Sequence, residues 1–64
     1  MATVNGEKAD CVGKTIAQLL EDMNYERQRV AVELNGEILP KAEYDSTAVK
    51  ENDCIEVVSF VGGG

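Results

Sequence analysis

The sequence has no histidine and no tryptophan, and its 64 residues include one proline, two cysteines, two tyrosines and one phenylalanine. Without histidine the chain lacks the commonest general base near neutral pH and the commonest metal ligand, so we do not expect an enzyme that acts by itself. Cys11 and Cys54 do not form a CxxC motif, which argues against a thioredoxin-like redox pair and against a zinc site. Both cysteines are predicted to be small buried side chains.

Basic residues are also scarce, because 6 lysines and arginines stand against 12 acidic residues and the net charge is −6. This charge repels nucleic-acid phosphates and anionic lipids, so neither nucleic acid nor a membrane is an expected partner. The same charge is expected to steer the chain towards basic protein surfaces. No apolar run approaches the roughly 20 residues that span a bilayer, and the first residues show no signal-peptide pattern, so a cytoplasmic location is expected.

A chain of this length makes one domain, and a hydrophobic fraction of 44% suffices for one small core. Its clearest local signals are Asn5-Gly6 and Asn35-Gly36, because type I′ hairpin turns need positive φ at both central residues. They predict two hairpins, with strands at residues 3–4 and 7–11 and at residues 29–34 and 38–39. Pro40 follows the fourth strand and indicates a sheet edge, since proline cannot donate to the ladder.

A helix is predicted to begin after Thr15, because Thr15 and Gln18 fit a capping box in which each side chain bonds the other residue's backbone N–H. Apolar residues then recur at i, i+3, i+4 and i+7 and predict one buried stripe. The stripe consists of Ile16, Leu19, Leu20 and Met23. Asn24 is expected to end the helix in a left-handed conformation. A further single helical turn is expected around residues 44–47.

The longest predicted strand covers residues 54–61. It is apolar on both faces, as is typical of a central strand, through Ile55, Val57, Val58, Phe60 and Val61. Two strands, one helix, two strands and a last strand predict an α+β fold of the β-grasp type, with the helix across one face of a mixed sheet. The first and last strands then lie side by side in the middle. Residues 1–61 are the predicted domain, and residues 62–64 are a predicted flexible glycine tail.

Two segments only superficially resemble ligand-binding motifs. Gly13-Lys14-Thr15 looks like the end of a phosphate-binding P-loop, but that motif requires a glycine where this chain has Lys8. The acidic stretch 43–53 lacks the alternating oxygen ligands and central glycine of a calcium loop. Both segments are interpreted as surface, and no bound cofactor or metal is expected.

The distinctive chemical group of the tail is the α-carboxylate of Gly64. A carboxylate is a poor electrophile, and joining it to AMP as an acyl-adenylate supplies a reactive carbonyl and a leaving group for attack by sulfur or an amine. An enzyme that does this must exclude water, and glycines can thread a narrow channel. Four extended residues from Val61 span at most about 13–14 Å. On spacing alone, a frayed terminus is an equally good interpretation.

The chain resembles the family of bacterial thiamine-biosynthesis sulfur carriers, which have a ubiquitin-like β-grasp fold. The resemblance covers nearly the whole chain and is most specific at residues 29–40, RVAVELNGEILP, at Ser46-Thr47, at the acidic turn before Cys54, and at the terminal Val-Gly-Gly-Gly. A glycine pair at the end is common to many ubiquitin-like proteins, so it becomes specific only together with residues 29–40 and the short length.

This resemblance implies that the chain is a recycled co-substrate and not a catalyst. A ubiquitin-activating-like adenylating enzyme, which itself binds ATP and magnesium, would adenylate Gly64. Sulfur, usually from a cysteine desulfurase, would convert the carboxylate to a thiocarboxylate, and thiazole synthase would take that sulfur into the thiazole ring of thiamine. Gly63 and Gly64 match the terminal pair of the family, and Gly62 belongs to the arm. Phe60 and Val61 either help to dock the end of the strand or are core residues.

Three alternatives stay open. The related sulfur carrier of molybdopterin synthesis shares the fold and the tail. A ubiquitin-like protein modifier would join Gly64 to a lysine. A plain interaction module would have a tail without chemistry. Cys11 and Cys54 are not part of the family pattern, and on strands two apart in a β-grasp sheet they would be too distant for a disulfide.

Overall fold

The computed structural model describes residues 1–60. They form β1 (Ala2–Val4), β2 (Glu7–Ala9), α1 (Ile16–Asp22), β3 (Val30–Leu34), β4 (Glu37–Leu39) and β5 (Cys54–Ser59), with short 3₁₀ helices at Arg27–Arg29 and Lys41–Glu43. None of the helices in this part of the chain is long and apolar enough to cross a membrane. The predicted domain end at Val61 and the predicted tail at residues 62–64 lie outside the described residues.

The five strands form one mixed sheet in the order β2-β1-β5-β3-β4. β1 and β5 are parallel neighbours in its centre, with Val4 opposite Ile55, which confirms the predicted placement of the first and last strands. The other pairs are antiparallel. β4 is an edge strand that ends before Pro40, as predicted. The sheet therefore has β5 as its middle strand and hairpins on both sides.

Both Asn-Gly pairs form the predicted hairpin turns. Asn5 and Gly6 have φ of 52° and 85°, and Asn35 and Gly36 have φ of 54° and 87°, the positive angles of a type I′ turn. The Asn5 side-chain oxygen accepts a hydrogen bond from the Val57 N–H at 2.8 Å. This oxygen takes the place of the backbone carbonyl oxygen that a longer β1 would present to β5. The turns therefore reverse the chain and also hydrogen-bond to the central strand.

The helix begins as predicted. The Gln18 N–H donates to the Thr15 hydroxyl at 3.1 Å, and the Thr15 N–H donates to the Gln18 side-chain oxygen at 2.9 Å. Asn24 has φ of 64° and follows the last helical turn, which confirms its left-handed conformation. Met23 does not belong to the buried stripe, because it is the C-cap residue and is 39% exposed.

The core lies between α1 and one face of the sheet. Its buried side chains are Ala2, Val4, Cys11, Ile16, Leu19, Leu20, Val30, Val32, Tyr44, Val49, Ile55 and Val57. The helical turn predicted at residues 44–47 is instead a 3₁₀ helix at Lys41–Glu43, directly after Pro40, whose φ of −62° suits a helix start. Tyr44 is thereby buried, and its carbonyl oxygen accepts the Ala17 N–H at 3.0 Å.

Strand bounds and faces differ from the prediction. β1 and β4 each begin one residue earlier than predicted, at Ala2 and Glu37, and β3 begins one residue later, at Val30. β2 ends at Ala9 and not at residue 11, and β5 ends at Ser59 and not at residue 61.

β5 is central as predicted and has the apolar Val58 on its outward face, but only one of its faces is buried, since Ile55 and Val57 are buried whereas Glu56 and Val58 are exposed. α1 covers one face of the sheet only, and no element within residues 1–60 covers the other.

Truncation of Leu20 tests the packing of the helix. Leu20 is 1% exposed, so Leu20→Ala is expected to lower the free energy of unfolding by about 2–5 kcal/mol through lost burial and a cavity. Glu21→Ala is the matched control on the same helix and should change it by less than about 0.5 kcal/mol, because the side chain is exposed and forms no ion pair within residues 1–60. Chemical denaturation measures both. Equal losses for the two variants would contradict the observed helix face.

Candidate functional site

The candidate site begins where β5 ends. Ser59 pairs with Val30, and the ladder continues by one bond, since the Phe60 N–H donates to the Arg29 carbonyl oxygen at 2.7 Å. Of the predicted site residues, Phe60 is described, whereas Val61, Gly62, Gly63 and Gly64 lie outside the described residues. The structure thus shows which strand leads to the predicted reacting carboxylate, and the role of Gly64 stays a prediction.

Arg29, whose carbonyl oxygen accepts the Phe60 N–H, lies in a segment that a cluster of polar side chains holds in place. Both oxygens of the Asp45 carboxylate accept bonds from Arg27 Nη1 at 3.1 Å, and the Lys41 carbonyl oxygen accepts one from Arg27 Nη2 at 2.9 Å. Lys41 Nζ donates to the Val30 carbonyl oxygen at 2.8 Å. These bonds tie the 3₁₀ helix at Arg27–Arg29 and the start of β3 to the Lys41–Asp45 segment. The strand that pairs with the end of β5 is therefore well anchored.

Phe60 is 58% exposed, so it is not a core residue. It lines an open groove of about 360 Å³ together with Tyr25, Arg29 and Ser59. Exposed aromatic side chains are the kind that protein interfaces bury. Of the two interpretations given to Phe60 from the sequence, docking is the one that its exposure favours.

The sheet face opposite α1 carries a second group of residues, exposed on β4 and β5 and half-buried on β3, that the sequence did not predict as a site. In the strand register Ala31 lies opposite Val58, Glu33 lies opposite Glu56, and Glu33 also lies opposite Ile38 on its other side. We call these five residues the outer patch. Val58 is 52% exposed and Ile38 is 74% exposed. The alternation of Glu56 and Val58 with buried residues could have indicated this face, had β5 not been predicted as apolar on both sides.

The two cysteines differ in their environments, and both are free thiols. Cys11 is buried, and burial raises the pKa of its thiol above the ordinary value, although the charge of Lys14 opposes this shift. Cys54 is exposed, so the prediction that it is buried is wrong. It is the first residue of β5 and lies opposite Thr3 on the outward face.

These features define a class of protein. A mixed five-stranded sheet with its first and last strands parallel in the centre, and one helix across one face, is the ubiquitin-like β-grasp fold. This confirms the predicted fold class. The site residues that the structure describes lie on the central strand and its neighbours.

Comparisons with known proteins narrow the class to one family. The model of the ThiS family matches residues 2–64. The sulfur carrier protein ThiS of Thermus thermophilus is 38% identical over 64 residues, the full length of both chains. The crystal structure of the thiamine biosynthesis protein (ThiS) from Geobacter metallireducens has a TM-score of 0.78 at 37% identity and covers 98% of this chain and 97% of that chain. This chain belongs to the ThiS family.

A longer protein also contains a similar segment. The thiazole synthase of Paramagnetospirillum magneticum is 40% identical over 62 residues, which are 95% of this chain and 19% of that protein. This chain therefore spans about a fifth of the length of that relative. A thiazole synthase can thus carry a ThiS-like segment within its own polypeptide.

Thiol labelling tests the two cysteine environments. Cys54 should react quickly with an alkylating reagent near neutral pH, whereas Cys11 should react slowly until the pH rises above 9.0, the ordinary thiol pKa, because burial holds it protonated. Intact mass counts the labels, and Cys54→Ser should leave only the slow site. As the pH rises, the Cys11 thiol ionises at a lower pH in the unfolded chain than in the folded one. The free energy of unfolding should therefore fall as the pH rises above 9.0. Equal labelling rates at both sites would contradict the structure.

Proposed function

We propose that this chain is a sulfur carrier of thiamine biosynthesis, in which the Gly64 carboxylate becomes a thiocarboxylate. The single observation that carries the proposal is the family match, which continues through residue 64 and includes the three glycines. The full-length similarity to the sulfur carrier of Thermus thermophilus supports it. The chain is then a co-substrate of its partners, in the cytoplasm, and its own residues bind and present the reacting group.

The proposed chemistry has two steps on the carboxyl group. In the active site of an adenylating enzyme that resembles ubiquitin-activating enzymes, a carboxylate oxygen of Gly64 attacks the α-phosphorus of ATP and pyrophosphate leaves. Hydrosulfide, released from the cysteine persulfide of a desulfurase by a thiol reductant that is itself oxidised to a disulfide, then attacks the acyl carbon, AMP leaves with the bonding electrons, and the thiol proton is lost. Magnesium and ATP are held by the partner. The negative carboxylate is thereby converted to a reactive acyl group before sulfur enters.

The described residues support a role in which this chain presents the carboxyl group and the partner performs the chemistry. β5 is hydrogen-bonded to β1 on one side and to β3 on the other, and Phe60 still donates to Arg29. A strand held on both edges keeps the body of the carrier intact while the residues after it enter another protein. Three glycines have no side chains to obstruct a narrow, water-excluding channel, and exclusion of water protects an acyl-adenylate from hydrolysis.

Thiazole synthase is the proposed consumer of the sulfur. The thiazole synthase of Paramagnetospirillum magneticum contains a segment 40% identical to this chain. Joining two proteins that work together raises their effective concentration towards one another, so the joined arrangement supports a functional pairing of the separate chains. Transfer of the sulfur to thiazole synthase would return Gly64 to the carboxylate for another cycle.

Intact mass spectrometry tests this proposal. The protein is incubated with the adenylating enzyme of the same genome, ATP, magnesium and sulfide, and it should gain the mass of one oxygen exchanged for one sulfur. Deletion of Gly64 should abolish the gain, because the reacting carboxyl would be displaced by one residue. Lysine adducts in place of the exchange would indicate a protein modifier, and transfer of sulfur to a molybdopterin precursor but not to thiazole synthase would indicate the other carrier class.

A stability measurement shows whether the Gly64 deletion abolishes sulfur gain without unfolding the protein. Deletion of Gly64 should change the melting temperature by less than about 2 °C, because glycine has no side chain to bury. Leu20→Ala serves as the positive control and should show a clear fall. A large fall for the Gly64 deletion would mean that the loss of sulfur transfer reflects unfolding and would argue against a tail that acts apart from the core.

A further inference from the structure

The two hairpin turns are nearly identical in sequence and in backbone conformation. They read Val4-Asn5-Gly6-Glu7 and Leu34-Asn35-Gly36-Glu37. The asparagine and the glycine have φ of 52° and 85° in the first turn and 54° and 87° in the second, and all four residues are exposed. A difference in chemical behaviour between the turns must therefore come from the surroundings of the asparagine side chains.

An asparagine followed by glycine places an electrophile beside a nucleophile, and asparagine is among the thermolabile residues. Once base removes the proton of the glycine N–H, the nitrogen attacks the asparagine Cγ, since glycine has no Cβ to obstruct the approach. A Cγ–N bond closes a five-membered succinimide, the Cγ–Nδ2 bond breaks, and ammonia leaves with the electron pair and a proton from water. Water then opens the ring to aspartate or isoaspartate.

The central strand polarises both asparagine side chains in the same way. The Val57 N–H donates to Asn5 Oδ1, and the Cys54 N–H donates to Asn35 Oδ1, each at 2.8 Å. Negative charge develops on this oxygen when the glycine nitrogen attacks, so a fixed N–H donor stabilises the tetrahedral intermediate. Neither turn glycine donates its N–H to a backbone carbonyl within residues 1–60. The nucleophile is thus available in both turns.

The leaving nitrogens of the two asparagines differ. Asn35 Nδ2 donates to Asp53 Oδ1 at 3.0 Å, whereas Asn5 Nδ2 has no protein acceptor within residues 1–60. The bond to Asp53 must break before ammonia leaves, and the aspartate charge opposes the charge that develops on Asn35 Oδ1. Asp53 is itself fixed, since its Oδ2 accepts the Lys50 N–H at 2.8 Å. Asn35 is therefore held against the reaction and Asn5 is not.

We propose that Asn5 is a site of spontaneous deamidation, with water as the co-reactant, and that its bond to Asp53 protects Asn35 from the same reaction. The inference goes beyond the proposed function and does not depend on it, because no partner takes part. Asn24 and Asn52 are not such sites, since they precede Tyr25 and Asp53, whose side chains obstruct the attack.

The two products have different consequences for the central strand. Aspartate at this position keeps a side-chain oxygen that accepts from Val57. Isoaspartate instead routes the backbone through the former side-chain methylene, which lengthens a two-residue turn and removes the acceptor from its place beside β5. Both products add one negative charge to a chain of net charge −6. Formation of isoaspartate therefore loosens the link between the first hairpin and β5.

Timed incubation of the intact chain tests the inference. The full-length protein is kept at mildly alkaline pH, which favours loss of the glycine N–H proton, and is then digested at acidic pH and analysed by mass spectrometry of the two turn peptides. Asn5 should be converted about fivefold faster than Asn35, the factor that one hydrogen bond contributes to a rate. In urea the unfolded chain should convert the two sites at similar rates, because their sequence neighbours match.

A variant isolates the contribution of the aspartate. Asp53→Ala should speed conversion of Asn35 about fivefold relative to Asn5. The control Glu21→Ala removes the same charge from α1 and should leave the ratio of the two rates unchanged. Because the readout is a ratio within one molecule, a general loss of stability, which speeds both sites, does not imitate this effect.

Three results would overturn the inference. The first is equal conversion of the two sites in the folded wild type, or faster conversion of Asn35. The second is a ratio that Asp53→Ala leaves unchanged. The third is full protection of Asn5 over the time in which the unfolded chain reacts. Since none of these measurements involves sulfur, each would leave the proposed function standing, and failure of the carrier assay would leave this inference standing in turn.

Discussion

The hydrogen bonding of β5 along both of its edges is the constraint around which the rest of the structure is arranged. β1 runs parallel to it on one side and β3 antiparallel on the other. Each hairpin turn adds a side-chain bond to the same strand, as the Asn5 oxygen accepts from Val57 and the Asn35 oxygen accepts from Cys54. The strand that leads towards the candidate site is thus also the one that the fold holds most completely.

The two faces of this strand serve different purposes. Ile55 and Val57 face α1 and contribute to the core, whereas Glu56 and Val58 face outwards. Burial on one side supplies the stability that lets the other side carry exposed apolar residues and acidic side chains. A single strand can therefore contribute to the core on one face and carry exposed residues on the other.

Local signals in the sequence predicted much of the fold. Asn5-Gly6, Asn35-Gly36 and the Thr15 and Gln18 capping box act over a few residues, so the chain itself shows them. Burial of Tyr44 and Val49 depends on how the segment after Pro40 packs against α1, which no local pattern reports. Exposure of Cys54 and Val58 likewise depends on the absence of a described element over the outward face.

The candidate site shows the same distinction. Phe60 was identified because it precedes the glycines in sequence. Glu33 and Glu56 lie opposite each other because of the register between β3 and β5. In the sequence these two strands are separated by the β4 hairpin and the segment after it. A composition count records both residues as acidic surface, and only the pairing of strands brings them together. The predicted role of Gly64 came from its chemistry and from the family resemblance, and the described residues add the strand that leads to it.

The parallel pairing of β1 with β5 has a consequence for biosynthesis. The middle of the sheet is made of strands from opposite ends of the described chain, so a nascent polypeptide cannot complete its core until Ser59 has left the ribosome. Contacts so distant in sequence form late and depend on the whole chain. A product that stops short of β5 would stay open and be accessible to proteases, so quality control in the cell would remove incomplete chains.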